Sequence, residues 1–388
     1  MESGPSHAQR TPRIRFDRNE LAGSFGDIGT DLPLLLGMIP AAGLDSASVF
    51  TMFGLMQVLT GVLYGLPMPV QPLKAMAVLV ISQNLSKNIL FGGGLAIGVI
   101  MLVLAASGAL NGLVRVIPRP VVRGVQFGLG LYLCSLALRD YVPAMGATGY
   151  LMATAAFAVM ILLWGNRRVP PGLLVMGIGL LYALVFRVDG AKLLDGVGLA
   201  LPQTNRPSWD DIRLGFLLLA LPQLPLSLSN AVIATRQTLE DLFPERRITT
   251  RRIGLTYGII NLINPFLSGV PACHGCGGLA GHYAFGARTG GSVVIYGSMY
   301  LLIGLLLSGA SDQVVALFPR PILGVVLLFE GLTLLLFIRD LAGSARDMTI
   351  GLLVGVLAAT LPQGFVVGLL VGTAVYYGAR RFQAERVH

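Results

Sequence analysis

Runs of Leu, Ile, Val, Ala and Phe, each closed off by Gly, Pro or a charged residue, follow one another along almost the whole chain. They predict spans near 20–38, 46–64, 72–86, 93–113, 121–137, 148–163 and 172–187. A second set lies near 212–234, 253–268, 275–287, 291–308, 321–337, 347–360 and 364–379. One membrane crossing needs about 20 apolar residues, so 388 residues accommodate about fourteen. The expected class is therefore an all-α polytopic membrane protein.

The pattern also repeats itself. "VIPRPVVRG" (Val116 to Gly124) returns as "LFPRPILGV" (Leu317 to Val325), and Arg139-Asp140 returns as Arg339-Asp340. "GLPMPVQP" (Gly65 to Pro72) is echoed by "GVPACHGC" (Gly269 to Cys276), and "TDLPLLL" near Pro33 by "PQLPLSL" near Pro225. Four echoes in one order, about half the chain length apart, predict a duplication. With seven spans per half, an odd number, the halves must lie inverted in the membrane. The expected organisation is a cytoplasmic tail (1–19), a first repeat (20–190), an extracytoplasmic connector (191–211), a second repeat (212–380) and a cytoplasmic tail (381–388).

Composition agrees with a membrane protein. The chain is 54% hydrophobic and 12% charged, with a mean hydropathy of +0.74, against about 25% charged for a soluble domain. The N-terminal "MESGPSHAQRTPRIRFDRN" has no apolar run beside its charges, so it is not expected to be a cleaved signal peptide. No regulatory domain is expected after the last run. The net charge of +9 comes from Arg and Lys gathered in short loops. With a cytoplasmic N-terminus, 20 of the 28 basic residues fall on the cytoplasmic side and seven on the other; Lys74 lies within a span. That is the positive-inside pattern, and it places both ends in the cytoplasm. Basic charge thus reports topology, with some scope for lipid headgroups; nucleic acid is not an expected partner. Three cysteines provide no disulfide framework, and no nucleotide-binding loop is present to drive transport with ATP.

Two spans begin badly for helices. "GLPMPVQP" alternates prolines at 67 and 69 and then places Pro72 where a first turn would start. "GVPACHGCGG" reads as extended chain leading into a glycine-rich helix start. Non-helical backbone at membrane depth is tolerated only where it packs in protein or lines a cavity. In inverted repeats, the two broken third and tenth spans would aim their N-termini at each other. Such ends carry unpaired N–H groups and partial positive charge, which suits an anion.

The polar residues in these spans are the candidates for chemistry. Gln71, Lys74, Cys273, His274 and Gly275 flank the broken starts, and Thr30 and Asp31 of the first span and Gln223 and Ser227 of the eighth can approach them. Together they form the expected substrate site, with further hydrogen bonds available from Ser229 and Asn230. Asp27 and Asp31 are spaced i, i+4; Asp27 is either a coupling residue or a cap on a broken helix. Lys74 either complements an anion or neutralises Asp27 or Asp31. Glu330 in "LLFEGLTLL" is either proton-linked or the partner of an arginine such as Arg123. Cys273, His274, Cys276 and His282 could instead form a metal or thiol redox site. Against that, there is no second cysteine pair, and the favoured reading of the cysteines is as small packing residues beside glycines. No metal and no cofactor are expected.

"ELAGSFGDIGTDLPLLLGMI" (Glu20 to Ile39), "GLPMPVQPLKAMAV" (Gly65 to Val78) and "VPACHGCGGLAGHYAFGARTGG" (Val270 to Gly291) resemble the molybdate transporter family of plants, algae and bacteria, a branch related to the sulfate permeases. Cys276 and His282 depart from the residues usual in that family. The resemblance implies a seven-plus-seven inverted-repeat fold with a core domain moving against a gate domain. It also implies uptake of a tetrahedral oxyanion, without the C-terminal regulatory domain of sulfate permeases. The expected function is secondary active transport of molybdate, or of sulfate or tungstate, across the inner membrane, and not an enzyme activity. Dianion uptake against a negative-inside potential requires a coupled cation, so a proton is an expected partner, with lipid and a homodimer also allowed for. A nucleobase or organic-anion carrier is the first alternative and a membrane-embedded redox protein the second.

Overall fold

The computed structural model describes residues 14–110, 112, 117–164, 171–187, 198–306, 315, 318–361 and 363–385. Most of the N-terminal tail, connector residues 191–197 and the end of the C-terminal tail lie outside the described residues. The chain is predominantly helical. Its first half contains α1 (Arg18–Gly23), α2 (Ile28–Ala42), α3 (Ser46–Tyr64), the short strand β1 (Val70–Pro72), α4 (Lys74–Gln83), α5 (Lys87–Ser107), α6 (Arg119–Leu136), α7 (Gly146–Leu162) and α8 (Pro171–Phe186). The second half contains α9 (Trp209–Leu242), α10 (Thr250–Ile263), β2 (Ala272–His274), α11 (Cys276–Ala284), α12 (Gly291–Leu306), α13 (Arg320–Leu336), α14 (Ala345–Thr360) and α15 (Gly364–Glu385).

Among the described residues, five helical stretches are long and apolar enough to cross a bilayer unaided: Ser46–Tyr64, Lys87–Ser107, Arg119–Leu162, Trp209–Leu242 and Arg320–Leu341. The stretch near 20–38, expected as one span, is instead divided by a turn at 24–27 between α1 and α2. The stretch expected at 212–234 runs longer, as α9, and absorbs Pro222 and Pro225 through π-helical turns at 216–220 and 227–234. Near 253–268, Pro265 ends the α-helix early in a 3₁₀ turn, Asn264–Leu267.

Helix packing falls into two groups. In one, α3 lies along α12 and α5 along α10, with α9 against α5. In the other, α6 lies along α13 and α14, and α15 along α14. Small residues allow the first group to approach closely: a Cβ on Gly54 of α3 would come within 2.6 Å of the Gly297 carbonyl of α12. At the head of α12, the fully buried Glu20 carboxylate accepts the backbone N–H groups of Arg288, Thr289 and Ser292 at 2.9–3.0 Å. It acts there as a helix-start anion.

Candidate functional site

The two interrupted starts meet. β1 and β2 pair antiparallel, with Val70 opposite His274, Gln71 opposite Cys273 and Pro72 opposite Ala272. A two-stranded ribbon this short leaves its outer edges unpaired, and buried amides complete them. Gln57 of α3 donates to the Val70 carbonyl at 2.8 Å and accepts its N–H at 2.9 Å. Asn261 of α10 does the same for Ala272, at 2.6 and 3.0 Å. Sequence reasoning missed both residues, although each is a lone amide within an apolar helix.

From this ribbon α4 and α11 start in extended caps, Leu73 and Gly275, neither of which caps through its side chain. The first N–H groups of α4 are met by Gln223 of α9, whose Oε1 accepts from Ala75 at 3.0 Å. Gly275 is obligatory for a different reason. A Cβ there would overlap the Gln71 side-chain oxygen.

A cavity of about 210 Å³ opens between these starts, lined by both helix groups. That is below the range of about 300–1,000 Å³ usual for drug-sized ligands and suits a smaller solute. Of the residues singled out in the sequence, Asp27, Thr30, Gln71, Lys74, Gln223, Cys273 and Glu330 line it. Gln71 donates to both Asp27 oxygens, at 2.7 and 2.8 Å. Asp27 stands at the N-cap position of α2 but makes no side-chain cap hydrogen bond, so the capping alternative does not hold. Lys74 pairs with Glu330 at 3.1 Å, and the Thr30 hydroxyl donates to the other Glu330 oxygen at 2.9 Å. Glu330 therefore belongs to Lys74 and not to Arg123, which pairs with Asp340.

Four other expected residues sit differently. Asp31 is fully buried away from the cavity lining, where it accepts from the Tyr296 hydroxyl at 3.2 Å. His274 is turned to the other face of its strand, with Nε2 2.8 Å from the Thr256 hydroxyl. Ser227 lies behind the wall, between Gln223 and the Tyr257 hydroxyl. Gly275 supports the site by admitting Gln71 and does not line it. Gln126 of α6, Asn230 of α9, Cys276 of α11 and Thr333 of α13 complete the polar lining; sequence reasoning missed Gln126 and Thr333 and noted Asn230 only as a hydrogen-bonding residue.

The four residues of the metal alternative do not converge. Cys276 points its thiol at the Asn230 side-chain oxygen, 3.0 Å away, and His282 faces Ser292 Oγ at 3.1 Å. Among the described residues, no cluster of three or more His, Cys, Asp or Glu could hold a metal ion.

The chemistry available is recognition of a small polar solute by amides, a hydroxyl, one ammonium group and two half-helix starts. Comparisons with known proteins agree. The chain is similar to "Molybdate transporter 2" of Arabidopsis thaliana, 33% identical over 88% of this chain and 83% of the relative. "Molybdate transporter 1" of Chlamydomonas reinhardtii is 28% identical over 95% of this chain and 93% of the relative. "Guanine/hypoxanthine permease GhxP" of Escherichia coli O157:H7 is more distant, 24% identical over 90% of this chain and 84% of the relative. None of the three is named as an enzyme.

Among solved structures, the transmembrane domain of the cyanobacterial bicarbonate transporter BicA matches with a TM-score of 0.63 at 15% identity, over 93% of this chain and 98% of that one. The murine anion transporter Slc26a9 in its inward-facing state matches with a TM-score of 0.70 at 13% identity, over 96% of this chain and 70% of that one. The shared fold is that of a multi-pass membrane transporter. The family model described as "Molybdate transporter of MFS superfamily" matches residues 19–133 and 215–334, and together with the plant and algal relatives this establishes that the chain belongs to the molybdate transporter family.

Proposed function

We propose that the chain is a secondary active transporter that takes up molybdate, or the related oxyanions sulfate and tungstate. The anion is held in the 210 Å³ cavity between the starts of α4 and α11. The observation that carries this reading is the convergence of two half-helix N-termini, tied together by β1 and β2, on one polar cavity. Their aligned peptide dipoles favour a negative solute, and the donors of Gln71, Lys74 and Thr30, held here by Asp27 and Glu330, are released to it when those carboxylates take up protons.

The charge balance supports proton coupling. With Asp27, Glu330 and Lys74 ionised, the cavity carries a net negative charge before any substrate arrives. Two unit charges about 4 Å apart interact by about 4 kcal/mol at an effective dielectric of about 20. A dianion is therefore accommodated best when Asp27 or Glu330 takes up a proton. Inward movement of the dianion also works against about 2.3 kcal/mol per charge per 100 mV, of which each co-transported proton offsets one charge, so two protons are needed to cancel it.

The reading includes fourteen spans in two inverted halves, 20–190 and 212–380, joined by the connector 191–211. The ribbon register supports it: Gln71 and Cys273, 202 positions apart, face each other. Lys74 and Cys276 begin α4 and α11 at the same separation. The packing of α3 on α12 is likewise answered by that of α5 on α10. The two packing groups would be the core and gate that move against one another. The basic asymmetry of the loops supports an inner-membrane location with both termini cytoplasmic.

Calorimetric titration of the purified protein with molybdate, tungstate, sulfate and guanine tests the substrate. Uptake into vesicles with and without an imposed pH gradient tests the coupling. Binding of molybdate with gradient-dependent uptake is expected. Binding of guanine alone would instead place the chain with its permease relative.

A further inference from the structure

Beside the central cavity lies a second one of about 450 Å³, bounded by the first turns of α6, the later part of α9 and the end of α15. Its character is opposite. Arg119, Arg123 and Arg380 line it, and the carboxylate paired with the first two is Asp340. Three guanidinium groups against one carboxylate leave it positive, whereas the central cavity holds Asp27 and Glu330 against Lys74. The N-terminus of the 18-residue helix α6 adds partial positive charge to the same mouth.

The two cavities share a wall. Gln126 and Asn230 line both, and Arg123 Nη1 donates to Gln126 Oε1 at 2.8 Å. Arg123 brings its charge to this wall with Nη1 and Nη2 held by Gln126 and Asp340, while its Nε is buried and makes no hydrogen bond. Guanidinium is the side chain best matched to a doubly charged oxyanion, which it can grip through two parallel N–H groups.

We infer that this arginine-lined cavity is a second binding site for a divalent tetrahedral oxyanion, adjoining the central site through Gln126 and Asn230. The inference rests on the central cavity being the oxyanion site. An anion leaving the central carboxylates is received by Arg123, with Arg119 and Arg380 holding it at the mouth. A phosphate headgroup of an anionic lipid offers the same chemistry, and the experiment separates the two sources.

Molybdate is titrated calorimetrically into the full-length protein in a neutral detergent. The expected isotherm has two classes of site. Arg119 and Arg380 are exposed, so the double variant Arg119→Gln/Arg380→Gln should fold normally and weaken only the second class, by about tenfold or more. Gln71→Ala should weaken the other class alone. An isotherm unchanged by the double arginine substitution overturns the second site and leaves the central one standing. Loss of all molybdate binding in the wild type overturns both readings. Repeating the titration in nanodiscs separates free anion from lipid. Retention of both classes in phosphatidylglycerol supports the oxyanion site. Loss of the second class in phosphatidylglycerol but not in phosphatidylcholine assigns the arginines to a lipid headgroup and overturns it.

Discussion

Replacing Gly275 by alanine adds one methyl group at the tightest point of the site. The new Cβ would overlap Gln71 Oε1, and the backbone at Gly275 is fixed by the ribbon on one side and by α11 on the other. Gln71 must therefore swing away, and with it go its contacts to the two Asp27 oxygens at 2.7 and 2.8 Å. When Asp27 takes up a proton the Gln71 amide turns to the anion; a hydrogen bond to a charged group contributes about 1.5–3 kcal/mol, so losing it should lower molybdate affinity by roughly ten- to a hundredfold. Overpacking adds a stability cost of about 1–3 kcal/mol, readable as a lower thermal midpoint in detergent. The decisive measurement is a double-mutant cycle by calorimetry. Gln71→Ala removes the side chain that Gly275→Ala would displace, so the two losses should combine to much less than their sum. Gly275→Val, with a branched side chain, should abolish binding while the helical content stays normal. At Gly277, which lines the cavity, an added Cβ meets no atom within 4 Å, so Gly277→Ala should leave Gln71 in place and the thermal midpoint unchanged, and any loss of binding there reads the space the methyl group takes from the anion. Wild-type affinity in Gly275→Ala, or strictly additive losses in the cycle, would refute the placement of the anion beside Gln71.

Other outcomes follow from the same geometry. Asp31→Asn should leave equilibrium molybdate affinity near wild type, because Asp31 faces Tyr296 and does not line the cavity; a loss as large as that of Gln71→Ala would return it to the substrate site. Lys74→Ala leaves Glu330, whose side chain is 22% exposed, without its cation. It should destabilise the fold by less than the roughly 3–5 kcal/mol of a fully buried pair; the thermal midpoints of Lys74→Ala and Lys74→Ala/Glu330→Ala are the measurement. Cys273→Ser/Cys276→Ser should transport molybdate with no co-purifying metal, whereas stoichiometric zinc or iron in the wild type would revive the redox reading. Cysteines placed at Arg246 and Gln383 should both resist impermeant thiol reagents in intact cells, and labelling of either from outside would overturn the proposed topology.

The sequence carries the broken starts plainly, because proline at 67, 69 and 72 in the first and Pro271 in the second interrupt a continuous helix and leave few alternatives. It does not carry which side chains face the cavity. In an extended segment successive residues point to opposite faces, so Cys273 and His274 cannot both line the same wall. The choice between them is made by register, through the pairing of Gln71 with Cys273 across the ribbon. The carboxylates of the first span show the same limit. Their i, i+4 spacing suggests one helix face, but Asp27 precedes α2 with φ −121° and ψ −4°. The helical wheel therefore does not apply to it: Asp27 lines the cavity, while Asp31, still beside it, turns to the Tyr296 hydroxyl.

Glu330 and Lys74 are 256 positions apart, and nothing local in either helix names the other. Once a lysine is known to sit at a half-helix start inside the membrane, however, an uncompensated ammonium there is costly enough to demand a carboxylate nearby. The same reasoning extends to Gln57 and Asn261. A strand pair with only three residues a side must find partners for its outer backbone groups, and a buried amide supplies a donor and an acceptor on separate atoms, spaced to meet one residue's C=O and N–H together. Lone amides in the helices flanking a broken span are thus a signal of ribbon bracing, which Gln57 and Asn261 provide on opposite edges.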